Sequence, residues 1–308
     1  MKIIFFGTPK FAVPSLRALK KSTNTILSVV TTPDKKSGRG LILNSSAIKI
    51  EAEKLNIPIL TPADLSDKNF LNLLKSLKPD YFIVVAFKYL PRMLLKIPSQ
   101  GSINLHGSLL PILRGAAPIN YALLNGFSET GVTTFFLKNK IDTGDILLQK
   151  KVDITPNMTS DQLTIELSNK GANLIIDTLD KLFNNTISPT IQNNKKFSLA
   201  PKININRDCR INWSNNNISI HNQIRAFDTN PGAFTYLNEK RVKLYNSVLI
   251  NNHSNLNPGE INYINPYFEI GTGTKSVFIE QIQIEGKVKT RSSDFILGNQ
   301  HLIGKYFE

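Results

Sequence analysis

The chain has 308 residues, of which 41% are hydrophobic and one is a cysteine. This length favours two domains, and the hydrophobic fraction is too high for a disordered chain. The lone Cys209 excludes an internal disulfide, fits a reducing compartment, and is expected to be chemically inert because no histidine stands near it in the sequence. No stretch approaches the ~20 apolar residues needed to cross a bilayer. We therefore expect a cytoplasmic protein with no membrane partner.

The net charge of +14 is spread along the whole chain. Residues 1–190 contain 23 Lys and Arg against 14 Asp and Glu, and residues 191–308 contain 14 against 9. A polyanion lying across both halves would account for this distribution. A composition biased toward Lys, Asn and Ile would account for it equally well, so the charge alone selects neither explanation.

The first half of the chain alternates strand-like and helix-like patterns. Strand-like runs occur at residues 2–6, 26–31, 81–86 and 101–105, and helical apolar spacing occurs at residues 11–19, 47–55 and 71–77. Strands separated by helical segments of about ten residues are typical of βαβ units. The sequence therefore predicts an α/β fold with a doubly wound, mainly parallel, Rossmann-like sheet and helices on both faces.

The second half of the chain differs in composition and in the pattern of its apolar residues. Two strands at 132–137 and 146–152 and a long helix at 160–183 complete the first pattern, and a polar segment rich in Lys and Pro follows them. Short alternating runs separated by Gly, Pro and Asn then favour a small β-barrel of the OB-like kind, preceded by one helix. We predict a first domain at 1–188, a basic linker at 189–206 and a C-terminal domain at 207–308.

Common cofactor motifs are missing from the sequence. Gly7-Thr8-Pro9 after the first strand is not the G-x-G-x-x-G of dinucleotide-binding folds, and no acidic residue stands convincingly at the end of the second strand. The sequence contains no P-loop and no Cys/His cluster with metal-ligand spacing. We therefore expect neither an NAD site nor a metal site.

Asn104 and His106 stand two residues apart at the end of a predicted strand. Strand alternation places both side chains on one face, at the carboxyl edge where open α/β sheets bind ligands. The following loop carries Leu109 and Leu110 where a polar loop is expected. Two leucine side chains in a loop are expected to pack against another apolar surface, and an aromatic cofactor ring is a good candidate for it. A strand-end histidine is more often structural, so this pair alone is a weak signal.

Asp142 adds a third group in a turn between two strands of the same predicted sheet. An amide donor, an imidazole and a carboxylate together meet the needs of acyl transfer to an amine. In that reaction the carbonyl oxygen gains negative charge in a tetrahedral intermediate, and the attacking nitrogen loses a proton.

These motifs resemble those of the 10-formyltetrahydrofolate-dependent formyltransferases, and in particular their methionyl-tRNA branch. The shared motifs are the Asn104-x-His106 pair, the Ser108-Leu109-Leu110-Pro111 loop and the Asp142-x-Gly144 turn. Supporting similarity covers residues 3–14 and 84–91, and it extends downstream to residues 211–213 and 224–227. The combination is far more specific than any single motif.

The resemblance implies a role for each matched residue. Asn104 would donate its amide to the formyl oxygen, His106 would stabilise the tetrahedral oxyanion, and Asp142 would hold His106 and draw the amine proton. The backbone at 85–89 would meet the pterin, and Asp145 would be only a turn residue. The loop residues implied to lie against 10-formyltetrahydrofolate are Ser108, Leu109, Leu110 and Pro111.

Initiator methionyl-tRNA is the partner that the resemblance implies. Lys35, Lys36 and Arg39 lie in a glycine-bearing loop that matches the family loop entering the acceptor stem, although such a run is usually a solvated surface loop. The C-terminal domain at 207–308, which a small-molecule formyltransferase does not need, would bind tRNA. The 114–119 segment also has the form found in the tRNA enzymes. A monomer is expected.

Other functions remain open at the level of sequence. The same Asn-His-Asp site would serve a small-amine formyltransferase or a formyltetrahydrofolate hydrolase. A non-catalytic RNA-binding protein on a degenerate scaffold is disfavoured because all three residues are present. One departure from the family pattern, Asp228-Thr229-Asn230 ahead of Pro231, lies in the second domain and leaves the chemistry intact.

Overall fold

The structure is a computed structural model that describes residues 1–37, 42–193, 195–250 and 255–308. It divides into two compact units. The first comprises Met1–Gly115, Thr130–Asp153 and Thr164–Ala200, and the second comprises Ala116–Glu129, Ile154–Leu163 and Pro201–Glu308. Residues 189–200, which begin the segment predicted as a linker, therefore belong to the first unit.

The strands in the first half of the chain are β1 (Lys2–Gly7), β2 (Thr25–Val30), β3 (Lys35–Ser37), β4 (Ile42–Asn44), β5 (Ile59–Leu60), β6 (Tyr81–Val85), β7 (Gly101–His106), β8 (Glu129–Phe136) and β9 (Ile146–Asp153). The helices are α1 (Val13–Lys21), α2 (Ala47–Lys54), α3 (Lys68–Ser76), α4 (Arg92–Leu95), α5 (Pro118–Leu124) and α6 (Ser160–Phe183). A 3₁₀ turn at Lys10–Ala12 precedes α1.

Seven of these strands form one sheet in the order β5-β2-β1-β6-β7-β8-β9. The pairs from β5 to β7 are all parallel, and β8 runs antiparallel to β7. The neighbouring central strands β1, after Lys2, and β6 are mostly apolar and buried, as is usual for parallel strands covered on both faces. In β1, for example, Ile3, Ile4, Phe5 and Phe6 are fully buried. The predicted mainly parallel α/β fold is confirmed.

Helices cover the sheet on both sides. On one face Phe6, Phe82 and Val84 pack with residues of α3 and α4 in a single hydrophobic cluster. On the other face a Cβ at Gly171 of α6 would lie 2.5 Å from the Leu105 side chain, which shows how closely that helix approaches the sheet. Parallel registers align Phe82 with Ser102 and Val84 with Asn104, so Asn104 lies on the α3 and α4 face.

Local sequence explains where several helices begin. The Ser46 hydroxyl accepts the Lys49 backbone N–H at 3.0 Å, and the Asp67 carboxylate accepts that of Phe70 at 2.8 Å. Each side chain satisfies a backbone donor that has no partner inside the first turn. The Asn216 side chain likewise accepts the Ser219 backbone N–H at the start of the helix Asn217–Ala226.

The second unit contains an antiparallel sheet, which confirms the predicted β-rich C-terminal domain. Its strands are β10 (Ala233–Leu237), β11 (Lys240–Val248), β12 (Ile261–Ile264), β13 (Tyr267–Gly271), β14 (Ser276–Ile284) and β15 (Thr290–Arg291). The order is β10-β11-β14-β13-β12, with β15 paired to β14. The remaining helices are α7 (Ile205–Asp208), α8 (Asn217–Ala226) and α9 (Ser292–Leu297), followed by a 3₁₀ turn at Gln300–Leu302.

An apolar core holds this sheet against α8. Trp213 stacks on Phe307 with ring centroids 5.8 Å apart, and its indole N–H donates to the Thr235 hydroxyl at 3.0 Å. Phe227 and Phe234 are almost fully buried in the same cluster. No helix among the described residues is both long enough and apolar enough to cross a membrane.

Cys209 is expected to resist thiol reagents in the folded protein. It is fully buried, and burial raises the pKa of its thiol to about 12. Since an unfolded cysteine has a pKa of about 8.5, the folded protein should react at pH 8 at least ~10²-fold more slowly than the unfolded chain. Labelling by an aromatic disulfide is followed by absorbance, once in buffer and once in about 6 M guanidinium to unfold the chain. The two labelling rates give this ratio. Equal rates would contradict the buried position.

Candidate active site

The carboxyl end of β7 presents the first two candidate residues. Asn104 and His106 share one face of the strand, between Val84 on β6 and Phe135 on β8. Asn104 is half-buried, and its side-chain amide has no hydrogen-bond partner within the described residues. An unoccupied amide at the edge of a parallel sheet is placed to donate to a ligand.

His106 is held on both edges of its ring. The ring is 6% exposed, and Nε2 lies 2.8 Å from the carbonyl oxygen of Leu113. Because a carbonyl oxygen only accepts hydrogen bonds, Nε2 carries the proton. Nδ1 faces the Asp142 carboxylate, with 3.6 Å between Nδ1 and Oδ2. The ring also stands edge-on to Phe135, at a centroid distance of 6.5 Å.

Asp142 occupies the turn between β8 and β9. Its backbone is left-handed, with φ of 50°, a conformation that aspartate tolerates better than most residues. Its Oδ2 accepts the backbone N–H of Gly115 at 2.8 Å, so one carboxylate oxygen joins this turn to the loop after β7. The structure therefore brings Asn104, His106 and Asp142 to one edge of the sheet.

Two glycines permit this close approach. A Cβ at Gly144 would lie 1.6 Å from the carbonyl oxygen of Phe136, which no side chain can accommodate. Gly115 has φ of 124°, and a Cβ there would lie 2.5 Å from the carbonyl oxygen of Ala200. The spacing of Asp142-x-Gly144 thus reflects backbone packing as well as chemistry.

The loop after β7 is fastened to β8. The Ser108 hydroxyl donates to the Ile112 carbonyl at 2.5 Å. The Thr133 hydroxyl donates to the Ser108 carbonyl at 2.6 Å and accepts the Leu110 N–H at 3.1 Å. The Gln149 amide donates to the Leu110 carbonyl at 2.9 Å. Sequence reasoning did not find Thr133 and Gln149, because neither lies in the loop motif.

The two loop leucines have different surroundings. Leu110 is 3% exposed, so protein atoms cover its side chain. Leu109 is half-buried and packs over Gly131, where a Cβ would lie 2.5 Å from its Cδ2. Pro111 is also half-buried. Leu109 and Pro111 are therefore the apolar loop residues that retain surface for a ligand.

A cavity of about 430 Å³ opens beside the Asp142 turn. Leu95 and Leu137 line it and also pack with the hydrophobic cluster on the α3 and α4 face, the face that carries Asn104. In the loop between β6 and α4, the Tyr89 hydroxyl donates to the Asn139 carbonyl at 3.1 Å. The lining residues are Arg92, Leu95, Lys96, Leu137, Lys138, Asn139, Lys140 and Thr143.

Left-handed backbone occurs at this site as well as elsewhere in the chain. Ala86, directly after β6, has φ of 47°, and Leu113, whose carbonyl accepts His106, has φ of 59°. With Asp142, three non-glycine residues there have left-handed backbone. Such positions cost roughly 1–3 kcal/mol each and often mark ligand sites.

Two of the three predicted tRNA-contacting residues lie on β3 of the β3–β4 hairpin, and the third lies outside the described residues. Lys35 is exposed on β3, Lys36 belongs to the same strand, and Arg39 lies outside the described residues. At the base of the hairpin, Lys49 donates to Asp34 at 2.5 Å, and this hydrogen bond lowers the pKa of the Asp34 carboxyl. The hairpin thus begins at an anchored, charged pair. Within the described ranges, no group of three or more His, Cys, Asp and Glu side chains is arranged to hold a metal ion.

Comparison with known proteins identifies the family. The family described as Formyl transferase matches residues 1–179, and the one described as Formyl transferase, C-terminal domain, matches residues 205–300. Over 299 residues, the chain is 43% identical to the methionyl-tRNA formyltransferase of Thermodesulfovibrio yellowstonii, covering 97% of this chain and 96% of that protein. The chain belongs to the methionyl-tRNA formyltransferase family.

Other relatives agree with this membership. The methionyl-tRNA formyltransferase of Clostridium novyi is 39% identical, with 97% of each chain covered. The N-formyltransferase from Helicobacter canadensis, crystallised with folinic acid and dTDP-3-aminofucose, is 26% identical with a TM-score of 0.69, covering 91% of this chain and 98% of that chain. Family membership confirms the resemblance and the enzyme class predicted from the sequence.

Proposed function

We propose that this enzyme transfers the formyl group of 10-formyltetrahydrofolate to the α-amino group of methionyl initiator tRNA. Family membership supports the reaction. The observation that carries its assignment to this site is the convergence of three groups at one sheet edge, with the Asn104 amide free of any partner within the described residues. The small-amine alternative is less well supported, because the Helicobacter canadensis N-formyltransferase, crystallised with dTDP-3-aminofucose, is 26% identical to this chain, against 43% for the methionyl-tRNA formyltransferase of Thermodesulfovibrio yellowstonii.

In this proposal Asn104 and His106 stabilise the developing oxyanion. The methionyl nitrogen attacks the formyl carbon, and the carbonyl π electrons move onto the oxygen. The formyl oxygen then accepts a hydrogen bond from the Asn104 amide and takes the place of the Leu113 carbonyl as the acceptor of the His106 Nε2 proton. The Asn104 amide, which has no partner to give up among the described residues, can stabilise this charge without breaking another hydrogen bond.

Asp142 takes part through charge and proton transfer. Its carboxylate faces Nδ1 of His106 and places a negative charge beside the ring. The attacking nitrogen loses a proton toward this carboxylate. The oxyanion electrons then re-form the carbonyl, the bond from carbon to N10 breaks, and the proton taken up by Asp142 passes to N10 as tetrahydrofolate leaves.

The folate is proposed to lie against the 108–111 loop and in the cavity beside Asp142. The Helicobacter canadensis relative was crystallised with folinic acid, which supports a folate ligand for this fold. The side chains of Leu109 and Pro111 are partly exposed and can contact the folate. Ser108 and Leu110 are buried and stabilise the conformation of the loop. The backbone at 85–89 is proposed to border the pterin.

Substitution of the two leucines separates contact from loop support. Leu109→Ala should weaken folate binding by roughly 1–3 kcal/mol, the usual value of a buried leucine side chain. Leu110→Ala should instead lower the free energy of unfolding by about 2–5 kcal/mol, because its buried side chain leaves a cavity. Calorimetric titration and thermal unfolding measure the two effects. Unchanged folate affinity in Leu109→Ala would place that side chain in the protein core alone.

Initiator tRNA is proposed to contact Lys35, Lys36 and Arg39 as well as the second unit. If these side chains neutralise phosphates, log K for tRNA should fall with log salt by roughly 0.7–0.9 per contact. Arg39→Ala should reduce this slope and weaken tRNA use, and Arg39→Lys should not fully restore it, because a planar guanidinium binds phosphate bidentately. Filter binding between 50 and 200 mM salt covers roughly the range in which such contacts act. A slope unchanged in Arg39→Ala would contradict the contact.

The activity itself is tested by incubation with 10-formyltetrahydrofolate and charged initiator tRNA, with N-formylmethionine as the scored product. Free methionine and glycinamide ribonucleotide serve as competing amines. Formylation of either small amine in preference to charged tRNA would overturn the proposed acceptor. A monomeric state and a cytoplasmic location remain predictions.

A further inference from the structure

Gln192 connects the two backbone segments that carry the catalytic site. It lies 78 residues after Arg114 and 50 after Asp142, and it is 4% exposed. Its amide nitrogen donates to the Asp142 carbonyl at 3.0 Å and to the Gly144 carbonyl at 2.7 Å. The first carbonyl belongs to the turn residue whose carboxylate faces His106, and the second lies two residues after it.

The other end of the same amide binds the loop after β7. The Gln192 Oε1 accepts Nε of Arg114 at 3.0 Å and Nη2 of Arg114 at 2.6 Å. Both donors and both lone pairs of the amide are thereby used. The orientation is unambiguous, because a flipped amide would set oxygen against two carbonyls and nitrogen against a guanidinium.

Arg114 is itself fixed in the loop. Its backbone N–H donates to the Ser198 carbonyl at 2.9 Å, its carbonyl accepts the Ala200 N–H at 2.7 Å, and its guanidinium lies 5.4 Å from the centroid of the Phe197 ring. The next residue, Gly115, donates to the Asp142 carboxylate. Gln192 and Gly115 therefore tie the turn to the loop at two adjacent points.

We propose that Gln192 is a positioning residue that holds the Asp142 carboxylate at its distance from His106. This inference rests on the proposed function for its catalytic readout. Asp142 has left-handed backbone, so its turn needs external support to keep one conformation. Because the donor amide binds the carbonyls of the turn itself, its loss would let the carboxylate shift without changing any group that meets the substrate.

Two substitutions test this proposal in the full-length protein. Gln192→Glu keeps an oxygen acceptor for Arg114 but sets a second oxygen against the Asp142 and Gly144 carbonyls. Gln192→Met preserves the side-chain length and removes every hydrogen bond. The matched control is Ile191→Ala, since the neighbouring Ile191 is 81% exposed.

Both Gln192 variants should lower kcat by about 10–10²-fold, the scale of a misplacement of about 1 Å, with KM for tRNA and folate within about 3-fold of native. The imidazole NMR signals of His106, assigned by comparison with His106→Gln, should shift, whereas those of His221 in the second unit should not. Ile191→Ala should match the native protein in every measurement.

Several results would overturn the inference. They are kcat within about 2-fold of native in both variants, unmoved His106 signals, or global unfolding of both variants, which would make Gln192 a folding determinant instead. The NMR measurement needs no turnover. Failure of the native enzyme to formylate charged tRNA would therefore count against the proposed function alone, whereas active native enzyme with unaffected variants would count against the positioning role alone.

Discussion

Asn104→Ala is expected to lower kcat at least ~10²-fold, which is the usual cost of removing one preorganised oxyanion donor. The Asn104 amide has no hydrogen-bond partner in the described part of the protein, so its removal breaks no internal bond. Stability should therefore change little, and the loss should appear in the chemical step. Single-turnover formylation of charged tRNA at saturating folate measures this step directly.

The control for this variant is Asn184→Ala, at an exposed asparagine after α6. It should retain native kcat. His106→Ala should lose at least as much activity as Asn104→Ala, but it also removes the bond to the Leu113 carbonyl and the contact with Phe135. Asn104 is therefore the cleaner test. Near-native turnover in Asn104→Ala would remove it from the proposed oxyanion site.

Much of the fold could be predicted because the core strands carry strong local signals. β1, after its exposed Lys2, and β6 are short apolar runs with buried positions, and both were predicted within one residue at each end. The long α6 was predicted with its observed bounds. In the structure, Thr159 and Gln162 form reciprocal hydrogen bonds at its start.

Elements without a local signal were not predicted. β5 has two residues and exists because it pairs with β2, and α4 has only four residues. Residues 116–129 lie in the middle of the first predicted domain but belong to the second unit. That membership depends on contacts distant in sequence, such as the Asn120 amide donating to the Ala226 carbonyl at 2.7 Å.

The candidate site likewise contains residues with a local sequence signal and residues without one. Asn104, His106 and Asp142 were found because they form a motif around strand ends, where alternation and topology decide side-chain direction. Gln192 sits in a polar segment predicted as a linker, and nothing in its neighbourhood in the sequence indicates a buried amide. The different surroundings of Leu109 and Leu110 depend on the path of the loop across β8, which the sequence does not specify.

Asp142→Asn is expected to lower kcat at least ~10²-fold while leaving folate affinity close to native. Asparagine tolerates left-handed backbone, and its side-chain oxygen can still accept the Gly115 N–H, so the turn should keep its shape. What disappears is the negative charge 3.6 Å from Nδ1 of His106. Without that charge, the amine proton has no carboxylate to receive it.

Asp145→Asn provides the matched control, because the same substitution is made three residues away in the same turn. Asp145 accepts two contacts from Lys138, at 2.7 and 2.8 Å, and both side chains are partly exposed. Such a pair is worth about 0–1 kcal/mol, so kcat should stay within about 2-fold of native. Equal losses in the two variants would attribute the effect to the net charge of the turn. A loss confined to Asp142→Asn ties catalysis to the carboxylate that faces His106.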